Sequence, residues 1–281
     1  MSLFAPAVLV WLAAWWGNVV LSRRRLRGGA RFLPPVLFGA SLLVLWEGAA
    51  RGFGIPEVIL PAPSVVARTV AANLPLLWGD FVQTILRGAV AGYVMGCGAA
   101  VGVAVLIDRS PFLTRGLLPV GNFVAALPVV GMAPIMVTWF GFGWQSKAAV
   151  VFAMVFFPVL VNMVAGLVAA ERMQRDLMRT YGAGYWTTLV KLRLPAAMPF
   201  LFNGLKIATT LAVIGAIVAE FFGSPTRGMG FRISTAVGSL QLPMVWAQIF
   251  VAALAGSAFY GVVAWAEARV TFWHPSQRGR G

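Results

Sequence analysis

KAAVVFAMVFFPVLVNMVAGLVAAERMQRDLMRTYGAGYWTTLVKLRLPAAMP, residues 147–199, sets a long apolar run against a polar, basic one and then returns to apolar sequence. Between Ala148 and Ala170 no side chain is ionisable, and a bilayer core of about 30 Å needs roughly 20 apolar residues to cross it as a helix. The polar stretch 171–195 is too long for a tight turn. It is rich in helix formers, with Gly182 at its centre and Pro195 at its end. That pattern predicts a helix, a break, a second helix and re-entry into the membrane.

The rest of the chain repeats the alternation. Hydrophobic residues make up 60% of the 281 and charged ones only 11%; a soluble domain carries about 25% charged residues, so a water-soluble fold is excluded. Seven apolar stretches have spanning length, near 3–21, 33–50, 85–107, 117–140, 147–170, 199–222 and 244–266. The expectation is an all-α polytopic helical bundle in the membrane.

Net charge is +14, and the arginines punctuate the apolar stretches without covering one face, which argues for topology and against nucleic acid. Of the 22 Lys and Arg, 15 fall in one set of alternate loops and 5 in the other, Lys147 among the 5. Cytoplasmic loops hold the excess; the N-terminus is therefore expected outside and the C-terminus in the cytoplasm. In residues 3–21 the charges follow the apolar run, whereas a cleaved signal carries them before it. This stretch reads as an extra, uncleaved helix.

Catalytic motifs fail a direct search. A phosphate-binding loop needs Gly before its Lys, but the three lysines follow Ser146, Val190 and Leu205. One Cys and one His cannot build a disulfide or a zinc site. No HExxH or GxSxG occurs. Function must come from moving something or from partners, with no cofactor bound by this chain.

Gly88, Gly92 and Gly96, continued by Gly98 and Gly102, allow close helix approach, either inside one bundle or at a subunit or gating interface. The span 117–140 carries Pro119, Pro128 and Pro134; interrupted helices are tolerated where protein or a water-filled cavity satisfies freed carbonyls. Pro128, Pro134 and Asn122 are thus pathway candidates, as is Asn162 beside Pro158, with packing and helix-to-helix hydrogen bonding as the other readings. Lys206 and Glu220 are ionisable groups at membrane depth. They stand about 21 Å apart along one helix and cannot pair. Glu220, like Glu47, reads equally as a structural carboxylate capping a loop.

Residues 176–195 resemble the signature of bacterial ATP-binding-cassette (ABC) importer permeases: EAA, three residues, Gly, nine residues, Ile, any residue, Leu-Pro. Asp176, Leu177 and Met178 stand at the EAA positions, Arg179 to Tyr181 lead to Gly182, and Leu192, Arg193, Leu194 and Pro195 close the pattern. Asp replaces Glu, Leu and Met replace the paired Ala, and Leu replaces Ile. LPVVGMAPIMVTWFGFGWQSK (127–147), FFPVLVN (156–162), GAIVAEFFG (215–223) and GMGFRIS (228–234) look like nitrate, sulfonate and taurine importer permeases over roughly 55–270, and TFWHPS (271–276) is similar to permeases for pyrimidine precursors of thiamine.

The resemblance implies a permease homodimer in the bacterial inner membrane, two cytoplasmic ATPase subunits that use the ATP, and an extracytoplasmic binding protein that delivers a small nutrient. It implies an extra helix and basic loop in 1–32, a first core helix and external loop in 33–80, the transmembrane domain in 81–268 and a basic tail in 269–281. Residues 171–195 would be the coupling helix, with Gly182 permitting the bend and Asp176 with the neighbouring arginines making polar contacts. The competing classes are a stand-alone secondary transporter, which would normally show internal repeats, and a non-transporting assembly protein.

Overall fold

The structure, a computed structural model, describes residues 4–23, 30, 32–109, 128–223 and 226–273. Ten helices cover them: α1 (Phe4–Ser22), α2 (Leu33–Gly52), α3 (Pro63–Ala72), α4 (Leu74–Asp108), α5 (Val129–Phe140), α6 (Trp144–Val168), α7 (Arg172–Thr180), α8 (Tyr185–Gly223), α9 (Met229–Gly238) and α10 (Leu242–Val270). No strand occurs among the described residues. Six of the helices, α1, α2, α4, α6, α8 and α10, are long and apolar enough to cross a membrane. Of the expected span 117–140, residues 128–140 are described and give the short apolar α5, with Pro134 inside it.

The chain divides into two compact units, residues 1–77 with 232–250, and residues 78–231 with 251–281. In the first, α1 and α2 form an antiparallel hairpin. A Cβ on Gly52 would stand 2.7 Å from the Phe4 nitrogen at one end, while Gly17 faces Leu37 at the other. Phe4 packs on Phe53, and Trp15 meets Phe38 edge-on. Glu47 serves as an anchor: its carboxylate accepts from the Ser64 backbone N–H at 2.9 Å and hydroxyl at 2.7 Å, with Arg51 at 2.5 Å. A carboxylate at the first turn of α3 satisfies donors that the helix leaves open.

The second unit is built on small residues at helical spacing. Ala89, Tyr93, Cys97, Ala100, Ala104 and Ile107 of α4 meet Val151, Val155, Val159, Met163 and Leu167 of α6, and Ala208, Ala212 and Ala216 of α8. Steps of three and four put one stripe of each helix on the shared core. The glycine stripe splits. A Cβ on Gly92 would lie 2.6 Å from the Ala148 carbonyl oxygen and one on Gly96 2.5 Å from Val155, whereas Gly98 and Gly102 have nothing within 4 Å.

Two expectations of boundary are corrected. The span expected at 85–107 begins at Leu74, and the one expected at 199–222 begins at Tyr185, so there is no break at Pro195. The helices pass these points through widened π turns, Val82–Val90 in α4 and Leu189–Arg193 in α8. Such a turn relieves the clash that a proline ring makes with the carbonyl four residues before it, here that of Lys191.

Candidate coupling site

α7 is the most polar of the described helices and has no buried residue. Its start is fixed by Glu171, whose backbone N–H donates to Gln174 Oε1 at 3.3 Å. Its end is fixed by Gly182: Ala183 N–H donates to Met178 O at 3.0 Å and Gly182 N–H to Arg179 O at 2.9 Å, with Gly182 at φ 70°. That bond pair is the glycine-terminated helix stop, which requires a left-handed residue. A Cβ there would touch nothing, so the demand for glycine is conformational.

Asp176 stands exposed between Arg172 and Arg179, each 3.8 Å from its carboxylate. Met173, Leu177 and Tyr181 follow one another at helical spacing, 77%, 56% and 80% exposed; an apolar row that open to solvent on a charged helix is suited to contact with another surface. Met178 is half-buried. Leu192, Leu194 and Pro195 lie in the first turns of α8, half-buried, with Leu194 packed against the core.

Arg193 lies within the same pattern and is held from three sides. Its Nη1 and Nη2 donate to Asp108 Oδ2 and Oδ1 at 2.7 and 2.5 Å, and Nε donates to Leu167 O at 3.0 Å. Tyr185 Oη donates to Asp108 Oδ2 at 2.9 Å. The Arg109 guanidinium lies over the Tyr185 and Trp186 rings at 5.3 and 5.4 Å. The ends of α4 and α6 thus meet the start of α8. Counting Arg193 as one more loop cation missed this; the available signal is Asp108, one of only 8 acidic residues, at the close of a long apolar run.

A second polar cluster lies at the other end of α8. Glu220, 1% exposed, accepts from the Thr84 hydroxyl at 2.8 and 2.9 Å and from the Gly230 N–H at 2.9 Å. Met229 N–H donates to Thr84 Oγ1 at 2.8 Å, and Gly228 N–H to Asp80 at 2.9 Å. Lys147, expected among the loop cations, is 1% exposed and donates to the carbonyls of Phe142 and Gly223. Burial of a cation at the start of α6 is stabilised by the carbonyl-rich end of α8.

The pathway candidates do not gather in one place. Asn122 lies outside the described residues. Pro128 precedes α5 and Pro134 lies within it. Asn162 accepts from Asn203 Nδ2 at 3.0 Å and donates to Pro158 O at 2.8 Å, joining α6 to α8. Lys206 pairs with Glu267 of α10 at 2.8 Å. Beside α5 an apolar groove of about 670 Å³ is lined by Met95, Met136, Trp139, Phe140, Phe152 and Phe156, among others.

Residues 88–272 match the family model described as the inner membrane component of binding-protein-dependent transport systems. A probable ABC transporter permease of Haemophilus influenzae is 31% identical over 84% of this chain and 95% of that protein. A formylaminopyrimidine transport permease of Halalkalibacterium halodurans is 32% identical, over 87% of this chain and 97% of the relative. A riboflavin transport system permease of Chloroflexus aurantiacus is 31% identical, over 92% and 95%. With its spanning helices and with this match over most of its length, the chain belongs to the inner-membrane permease family of binding-protein-dependent transport systems and is the permease component of an ABC importer.

Proposed function

We propose that residues 171–195 are the contact through which this permease engages its ATPase, with Asp176, Leu177, Met178 and Arg179 on the docking helix and Gly182 setting its angle to α8. The observation that carries this reading is α7 itself: a charged helix with no buried residue and an exposed apolar row, joined through a fixed turn to a helix long enough to cross the membrane. The working assembly is two copies of this chain with two ATPases and a delivering binding protein, the excess of Lys and Arg lying on the cytoplasmic side with the C-terminus. This chain contributes no catalytic residue and no nucleotide site; the ATPase binds and hydrolyses ATP. Closure of the ATPase pair is passed to two discrete arrangements of the membrane helices.

The test is co-purification in detergent with the cognate ATPase, comparing wild type with the double variant Asp176→Arg/Gly182→Val. A complex of two copies of each subunit, lost in the variant while the permease still inserts, is the expected result. Failure of the wild-type chain to retain any ATPase overturns the reading.

For the cargo, the apolar groove favours a flat, uncharged heterocycle. Aromatic faces bind planar rings well, and Lys147, the cation nearest in sequence to its lining, is turned to carbonyls. The names of the formylaminopyrimidine and riboflavin permeases among its relatives point the same way. Uptake of a labelled pyrimidine that is not competed by taurine is the expected outcome; competition by taurine and not by pyrimidines sinks the assignment.

A further inference from the structure

We propose that Arg193 and Asp108 are the positioning residues that carry movement of the coupling helix into the membrane helices; this rests on the reading that residues 171–195 meet the ATPase. α7 buries none of its own residues, so a displacement imposed on it enters the rest of its unit where the chain is next held. Towards α6 that is the buried Ala170, and towards α8 it is Tyr185 and Arg193, both bonded to the single carboxylate of Asp108. The pair is shielded, with side chains 13% and 9% exposed. A two-pronged guanidinium–carboxylate contact has one geometry and does not slide. Through it the last residue of α4 moves with the start of α8, and through Arg193 Nε the end of α6 moves as well.

The π turn is what permits the double attachment. Residues eight apart on an α-helix point about 80° away from one another. A π turn advances less per residue, and the segment Leu189–Arg193 brings Arg193 round towards the side of Tyr185. At the far end of the same helix, Glu220 holds Thr84 of α4. α8 is therefore tied to α4 near both of its own ends, and the two respond as one lever, so that a push on α7 displaces them together and is not absorbed by bending.

The experiment uses the permease with its ATPase and binding protein in proteoliposomes and reads ATP hydrolysed per substrate taken up. Co-purification and thermal stability of the complex are measured alongside. Arg193→Gln and Asp108→Asn are expected to keep the ATPase bound and to raise ATP consumed per substrate about tenfold. Arg193→Lys, which keeps the charge without the fork, should fall between them and wild type. A merely structural role lowers uptake and stimulated hydrolysis together, in proportion to the complex remaining, and leaves the ratio at its wild-type value; that result overturns the proposal. If Arg193→Gln fails to accumulate, Arg193→Lys and Tyr185→Phe decide by the same ratio. Absence of ATPase from the wild-type complex overturns the docking reading and this one with it, whereas normal docking with an unchanged ratio overturns this one alone.

Discussion

The two ends of α8 solve the same problem differently. At the coupling end a full ion pair, Arg193 with Asp108, ties three helices, and beyond it lies a helix with nothing buried. At the other end Glu220 accepts neutral donors, Thr84 and the Gly230 N–H, while Lys147 finds carbonyls. The first arrangement fixes an angle between elements. The second closes a loop, since the backbone of residues 228–230 is threaded against the carboxylate so closely that a Cβ on Gly228 would lie 2.4 Å from Glu220 Oε1. One end ties helices to one another; the other ties a loop to a helix.

The comparison can be broken most severely at the loop. Gly230→Val puts a Cβ 2.1 Å from the Ile217 carbonyl oxygen and 2.8 Å from Glu220 Cβ; overpacking costs about 1–3 kcal/mol, and a backbone atom that cannot give way puts this site at the upper end. The expected outcome is no folded permease in detergent, and a variant with wild-type melting would refute the tight approach. Next comes Glu220→Ala, which strands the buried Thr84 hydroxyl and the Gly230 N–H at about 1–3 kcal/mol for each group left unpaired. Glu220→Gln retains an acceptor and should recover most of that loss in a thermal melt.

Smaller effects separate the coupling end. Tyr185→Phe removes one hydrogen bond to Asp108, about 1 kcal/mol, and the melting temperature should drop slightly with Arg193 still in place. Asp176→Asn alters only exposed pairs at 3.8 Å, worth less than about 0.5 kcal/mol, so stability should be unchanged while ATPase capture weakens. A large loss of stability in Asp176→Asn would mean that α7 is packed more firmly than its exposure indicates. Gly92→Leu and Gly98→Leu extend the contrast to the core of the same unit: the first drives α4 off α6, the second has open space. Only the first should lower the melting temperature of the folded chain.

Much of this was legible in the residues because the signals are local. Runs of apolar residues mark the spans, and the turn after α7 needs a left-handed residue, which Gly182 supplies. The extension of α8 down to Tyr185 was not legible, because Pro195 reads as a stop unless a π turn precedes it. Lys147 read as a loop cation for a related reason: its charge is visible in the sequence, but the carbonyl of Gly223 that receives it lies 76 residues away.

By itself, then, the sequence determined a multi-pass helical membrane protein, the rough positions of six apolar spans and a polar excursion with glycine at its bend. Periodicity, length and charge bias act over a few turns of chain and survive without knowledge of neighbours. Which carboxylate takes which cation was decided only in three dimensions. Asp108 and Arg193 are 85 residues apart, and Thr84 and Glu220 are 136 apart. Each pair meets because alanine and glycine stripes let α4, α6 and α8 approach closely enough to bring their ends together. Few ionisable groups enter such spans, and those that do must find a partner or stay near water; helix packing chooses the partner.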